Sequence, residues 1–67
     1  MNLYEDMSDR YKHYIGKRLH ITNMEGEPNY AGKEGVCNYV DSMGQLHGSW
    51  GGLAIQPERD SFKVVGE

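Results

Sequence analysis

The sequence has few of the residues that stabilise small domains by means other than packing. Its 67 residues include one cysteine and two prolines. A single cysteine cannot form an intrachain disulfide, and it cannot supply the ligand set of a zinc knuckle. Cys37 lies between Val36 and Val40 in an apolar run, which predicts a small buried residue and not a reactive thiol. We therefore expect a thin core held by apolar packing, with no metal and no cofactor.

Basic residues and long apolar runs are also scarce. Seven Lys and Arg residues against ten Asp and Glu residues give a formal net charge of −3. Proteins that bind nucleic acids concentrate cations to displace counterions from phosphates, so this balance argues against a nucleic-acid partner. No apolar run reaches the length of a membrane span, and the acidic Glu5 and Asp6 stand where a signal peptide carries positive charge. These patterns predict a soluble, cytoplasmic protein with no membrane partner.

The first 15 residues have the spacing of an amphipathic helix. Asn2 and Glu5 form a variant of the capping box that begins a helix, and Gly16 is suited to end one. The apolar residues that recur at helical spacing are Leu3, Met7, Tyr11 and Tyr14. A helix over residues 2–14 is marginal on its own, so this stripe is expected to pack on the chain's own sheet, on a second copy or on a partner.

After residue 16, apolar and polar residues alternate with the period of a half-buried strand. A long polar loop over residues 23–33 and tight turns at residues 41–44 and 51–52 divide this region. A single helical turn is expected at residues 57–60. The predicted strands are residues 18–22, 35–40, 45–50, 53–55 and 62–65.

These elements predict a mostly β domain over residues 16–67, preceded by the helix of residues 1–15. Five short strands with tight turns favour a small closed or nearly closed barrel, since closure removes exposed sheet edges. The residues expected in the core are Leu19, Ile21, Val36 or Cys37, Val40, Leu46, Trp50, Leu53, Ile55, Phe62 and Val64.

Several short motifs occur in order along residues 15–65. They are Gly16-Lys17-Arg18-Leu19, Gly32-Lys33-Glu34-Gly35, Val40-Asp41 with Gly44-Gln45, Trp50-Gly51-Gly52-Leu53, and Asp60-Ser61-Phe62. In these motifs the chain resembles a family of uncharacterised small SH3-like domains encoded mainly by phages and mobile elements of Gram-positive bacteria. The resemblance implies a five-stranded SH3-like barrel and, for a phage protein, a location in the host cell cytoplasm. It implies no particular activity.

The chain departs from this family at two places. Gly48 stands where the family usually has a β-branched residue, which implies a thinner core there or room for a neighbouring side chain. Gly51 and Gly52 replace an Asp-Asn-Gly turn, which puts in doubt any role of a carboxylate beside Trp50.

No set of residues has the spacing of a catalytic site. Nucleophilic catalysis needs a nucleophile, a base and an orienting group, and the three serines that follow residue 40 lie in or beside predicted turns. His20 and His47 approach each other only if the first and third strands present the same face, and two histidines without a third ligand do not make a zinc site. Asp41 and Asp60 are predicted to cap turns. We therefore predict a protein that is not an enzyme.

A binding surface is expected between the long first loop and the later hairpins, where an SH3-like barrel typically has aromatic side chains. Such a cluster can stack on a base or a proline and form hydrogen bonds at its edge. The candidate binding residues are Asn29, Tyr30, Tyr39, His47, Trp50 and Arg59. The alternative is that Trp50 is a core residue and that Tyr30 only fixes the loop.

Three functions are compatible with these patterns. The favoured one is a non-catalytic accessory protein of a phage or mobile element that inhibits a host defence factor by direct protein interaction, because an acidic surface can occupy a basic groove. The second is a sponge that sequesters a nucleotide second messenger, with Arg18, Lys33 or Arg59 holding its phosphates. The third, nucleic-acid binding through the barrel, is disfavoured by the charge. The helical stripe and the thin core also predict a homo-oligomer.

Overall fold

Four antiparallel strands and one short helix make up the part of the chain that the computed structural model describes, residues 6–66. The helix is α1 (Ser8–Tyr11), and the strands are β1 (Arg18–Asn23), β2 (Glu34–Val40), β3 (Leu46–Gly48) and β4 (Ser61–Gly66). There are also two 3-10 helices: one follows α1 directly, at Lys12–Tyr14, and the other lies within the β1–β2 loop, at Pro28–Tyr30. The prediction of a mostly β chain with a short N-terminal helix is confirmed.

The strands form one open sheet in the order β3-β2-β1-β4, in which every neighbouring pair is antiparallel. Leu19 lies opposite Gly35 of β2 and opposite Val64 of β4. Alternation in β1 buries Leu19 and Ile21 completely and leaves Arg18 and Thr22 exposed, as the period of two predicts. Within residues 6–66, no helix is both long and apolar enough to cross a bilayer.

The predicted five-stranded barrel is not confirmed, because the expected strand at residues 53–55 is reduced to one bridging residue. Ile55 exchanges two backbone hydrogen bonds of 2.8 Å with Leu46, and the segment adds no further pairs. The residues before it turn instead of extending: Gly51 has φ +145°, and the carbonyl of Leu53 accepts a hydrogen bond from the Trp50 indole. The third strand is also shorter than predicted, since it ends at Gly48.

The N-terminal helix is shorter than the periodicity predicts. Residues 2–5, which include the predicted cap, lie outside the described residues. The α-helical geometry is lost at Tyr11, where φ is −125° and ψ is 6°, and a 3-10 turn continues to Tyr14. Gly16, at φ +90°, then reverses the chain as predicted. Tyr11 and Tyr14 pack against the core, and the Tyr14 ring lies 5.2 Å from that of Phe62, so this part of the stripe packs on the chain's own sheet.

Most of the predicted core is buried. The buried apolar residues are Leu19, Ile21, Met24, Cys37, Val40, Leu46, Trp50 and Ile55. Leu53 and Val64 were expected here but are exposed, and Phe62 is half-buried. The prediction for Cys37 is confirmed: it is fully buried, and this burial raises the pKa of its thiol.

Gly48 makes room for a neighbouring side chain, which is one of the two alternatives that the sequence left open at this position. A Cβ atom at this position would overlap the Trp50 ring and the carbonyl oxygen of Val36. The indole therefore lies directly over the β3 backbone. Trp50 lies beyond the end of β3, and the glycine at position 48 leaves the space that its ring needs to enter the core.

A buried carboxylate joins the first loop to the turn that precedes β4. Asp60 accepts a hydrogen bond of 2.9 Å from the amide of Glu25 and one of 2.8 Å from the amide of Gln56. Its own amide donates to the Gln56 carbonyl at 2.7 Å. Asp60 thus caps its turn as predicted, and it also fixes a loop that is distant in the sequence.

Candidate functional site

The six predicted binding residues do not form one cluster. Asn29 and Tyr30 lie in the 3-10 helix of the first loop, and Arg59 lies in the turn before β4. Tyr39 and His47 are directly opposite each other on β2 and β3, with their ring centroids 5.4 Å apart. Only this last pair is brought together by the sheet.

Trp50 lies in the core, so the core interpretation of this residue holds. Its side chain is 4% exposed, and its Nε1–H donates a hydrogen bond of 2.7 Å to the Leu53 carbonyl. Tyr30 is half-buried against the core and packs beside Gly51, and the Lys33 Nζ atom lies 5.2 Å from the centre of its ring. The buried Trp50 ring therefore has no free face of the kind that stacking on a base requires.

The other two candidates differ in their surroundings. Arg59 is exposed, and its Nη2 atom lies 3.0 Å from the Glu25 carboxylate, so its charge is already partly compensated. Asn29 is exposed beside Tyr30. A phosphate at Arg59 would compete with Glu25 for the charge of the guanidinium.

The two strand histidines do not approach each other. His20 lies opposite Glu34 at the beginning of β2, with Nδ1 at 3.0 Å from the Glu34 carboxylate, and Arg18 lies 3.8 Å from the same side chain. His47 lies opposite Tyr39, five residues farther along β2, which is roughly 16 Å. Among residues 6–66, no three His, Cys, Asp or Glu side chains form a group that could hold a metal ion.

The β2–β3 loop is held by one carboxylate. Asp41 Oδ1 accepts hydrogen bonds from the amides of Met43 (3.0 Å) and Gln45 (2.9 Å), and Oδ2 lies 2.8 Å from His47 Nε2. Gly44, at φ +82°, completes the turn. Partial burial raises the pKa of Asp41, but the hydrogen bonds from His47, Gln45 and Met43 outweigh it and hold the pKa below its usual 3.8.

This network makes the hairpin sensitive to acid. Because the folded state depresses the pKa of Asp41, its ionised form contributes stability above pH 3.8, and this contribution is lost as the pH falls through the lower folded value. We expect Asp41→Asn to lower the free energy of unfolding by about 1 kcal/mol at pH 7 and by progressively less below pH 4. Urea unfolding of both proteins from pH 7 to pH 2 measures this difference, and a constant difference would contradict it.

Two large side chains project from this hairpin. Met43 at the tip is 72% exposed and Tyr39 is 56% exposed. We call Tyr39, Met43 and His47 the hairpin surface. Methionine and tyrosine are enriched at protein interfaces, where flexible thioethers and amphipathic rings supply contact area.

A groove of about 180 Å³ adjoins the hairpin surface at Met43. Its walls come from α1, from the β2–β3 loop and from the turn before β4. The lining residues are Met7, Tyr11, Met43, Gly44, Gln45, Gln56, Pro57, Glu58 and Arg59. The α1 wall is fixed by the Met7 amide, which donates to the Ser42 carbonyl at 2.8 Å, and by the packing of the Tyr11 ring on Gly44.

Sequence reasoning missed this groove except for Arg59. Met7 and Tyr11 were assigned to a helical stripe, and Met43 and Pro57 were assigned to turns. Comparison of the chain with protein-family models, with curated proteins and with solved structures found no match.

Proposed function

We propose that this chain is a non-catalytic binding module whose partner is another protein. The observation that carries the proposal is the hairpin surface: Tyr39 is 56% exposed on β2, and Met43 is 72% exposed on the β2–β3 loop, whose amides at Met43 and Gln45 donate hydrogen bonds to Asp41. Exposed aromatic and methionine side chains beside a groove are typical of the centre of an interface. The hairpin surface is the region that we assign to the partner.

The finer architecture that we propose is an SH3-like barrel. Three features support it: the order β3-β2-β1-β4, the bridge that sets Ile55 beside Leu46 of β3, and the turn that leads from there to β4 beside β1. In such a barrel the segment around Ile55 acts as a minimal fourth strand. The proposal that the chain is a phage or mobile-element protein that inhibits a host defence factor rests on the sequence resemblance and on the net charge of −3.

Replacing the hairpin surface tests the function. We expect Tyr39→Ser combined with Met43→Ser to weaken partner binding more than about tenfold, because truncation of central interface residues typically costs over 1 kcal/mol each. The measurement is native mass spectrometry of the tagged chain purified from a Gram-positive bacterial lysate, which reports retained proteins and small molecules together.

The matched control is Leu53→Ser combined with Val65→Ser, at positions that are 42% and 44% exposed elsewhere on the surface. This control should retain the partner. A partner that survives both double substitutions would refute the assignment to the hairpin. A retained nucleotide without a retained protein would replace the proposal with the nucleotide sponge.

A further inference from the structure

The groove beside Met43 has the size of one side chain. Its volume is about 180 Å³, and an apolar cavity of about 150 Å³ holds a benzene molecule. Sites for drug-sized ligands are larger, from roughly 300 Å³ upward. The groove therefore fits a single leucine, methionine or aromatic side chain of a partner.

The rim of the groove is negatively charged. Glu58 is exposed, and its carboxylate has no hydrogen bond or ion pair with any other described residue. The charge of Arg59, the cation of the groove, is partly compensated by the Glu25 carboxylate at 3.0 Å.

We propose that this groove binds a cationic segment of a protein, with one apolar side chain in the groove and an arginine or lysine against Glu58. This inference rests on the proposed function and names the chemistry of its partner. The apolar floor supplied by Met7, Tyr11 and Pro57 selects the inserted side chain, whereas the Glu58 carboxylate at the rim selects the residue beside it in the partner. Charges at the rim of an interface chiefly affect association rate and specificity, so binding will weaken with salt.

The probe is an acetylated and amidated peptide, Gly-Arg-Leu-Arg-Gly, titrated into the ¹⁵N-labelled full chain. We expect the amide resonances of Gly44, Gln45 and Glu58 to move and those of Ala31 and Gly32 to stay. A twin peptide with glutamates in place of both arginines should bind about tenfold more weakly in low salt. Equal binding of the two peptides, or movement of resonances only outside the groove, would overturn the proposal.

Charge removal at the rim provides the second measurement. We expect Glu58→Gln to weaken binding of the arginine peptide about two- to fivefold, and this difference should shrink in 0.5 M salt, where the Debye length is about 4 Å. Glu27→Gln is the matched control, since this acidic side chain lies in the first loop and does not line the groove. An equal effect of the two substitutions would show that only the net charge matters.

The outcomes separate this inference from the proposed function. If the chain retains a protein through Tyr39 and Met43 but does not discriminate between the two peptides, the charge inference is wrong and the proposed function stands. If the arginine peptide binds in the groove but no protein is retained by the hairpin surface, the proposed function is wrong and the groove chemistry stands.

Discussion

Gly48→Ala should destabilise this chain by about 2–3 kcal/mol, although it adds only one carbon atom. The new Cβ atom would overlap the Trp50 ring on one side and the Val36 carbonyl oxygen on the other. The Trp50 ring is only 4% exposed, so it can avoid the clash only by moving out of the core. The Val36 carbonyl cannot move easily either, because it belongs to β2, which lies between two other strands of the sheet. Since 1 kcal/mol shifts the Tm of a domain of this size by about 4–8 °C, the Tm should fall by about 10–20 °C.

Gly52→Ala is the control for this prediction. A Cβ atom at Gly52 meets nothing within 4 Å, and its φ is not positive, so the Tm should change little. Thermal unfolding followed by circular dichroism measures both variants, and indole fluorescence reports whether Trp50 has become exposed to water. A Gly48→Ala protein with an unchanged Tm would contradict the packing of the indole over β3.

Asp60→Ala should lower the free energy of unfolding by about 2–4 kcal/mol. The substitution removes the carboxylate that accepts hydrogen bonds from the amides of Glu25 and Gln56 and leaves both donors without a partner. It also frees the first loop from the turn before β4, so the Arg59–Glu25 ion pair loses its support. For a chain of 67 residues, whose total stability is expected to be roughly 3–10 kcal/mol, this loss is large.

Two further substitutions distinguish the hydrogen bonds from the charge. Asp60→Asn keeps one acceptor oxygen and should lose about half as much stability as Asp60→Ala. Asp9→Asn removes an exposed carboxylate that pairs with Lys12, and its effect should stay within about 0.5 kcal/mol. Urea denaturation gives all three values. Equal losses for Asp60→Ala and Asp9→Asn would show that the Asp60 bridge contributes little.

The sequence predicted the regular strands well and the irregular segments poorly. Alternation of polar and apolar residues correctly identified Leu19, Ile21 and Val40 as core residues, because one face of each strand is buried. The prediction that Leu53 is a core residue was wrong, because its carbonyl accepts the hydrogen bond of the Trp50 indole and its side chain turns outward. The same prediction was wrong for Val64, because β4 lies at the edge of the sheet and has a neighbouring strand, β1, on one side only.

The candidate site was harder to predict than the core. The pairing of Tyr39 with His47 follows from hairpin register and was within reach of the sequence. The groove was not, because its walls come from three segments separated by up to about fifty residues, and periodicity carries no information on such distances. Met24 shows the same limit: it follows β1 in a polar loop, yet it is buried because the loop folds back over the core.

The carboxylate of Asp41 has a consequence for affinity. Ordering a loop and a long side chain on binding typically costs about 0.5–1.5 kcal/mol for each immobilised group. Asp41 fixes the backbone of Met43 and Gln45 in the free protein, so part of this entropic penalty has been met during folding. If the hairpin is the binding surface that we propose, its loop is ordered before binding, and less of the contact energy is lost to ordering it, which slows dissociation.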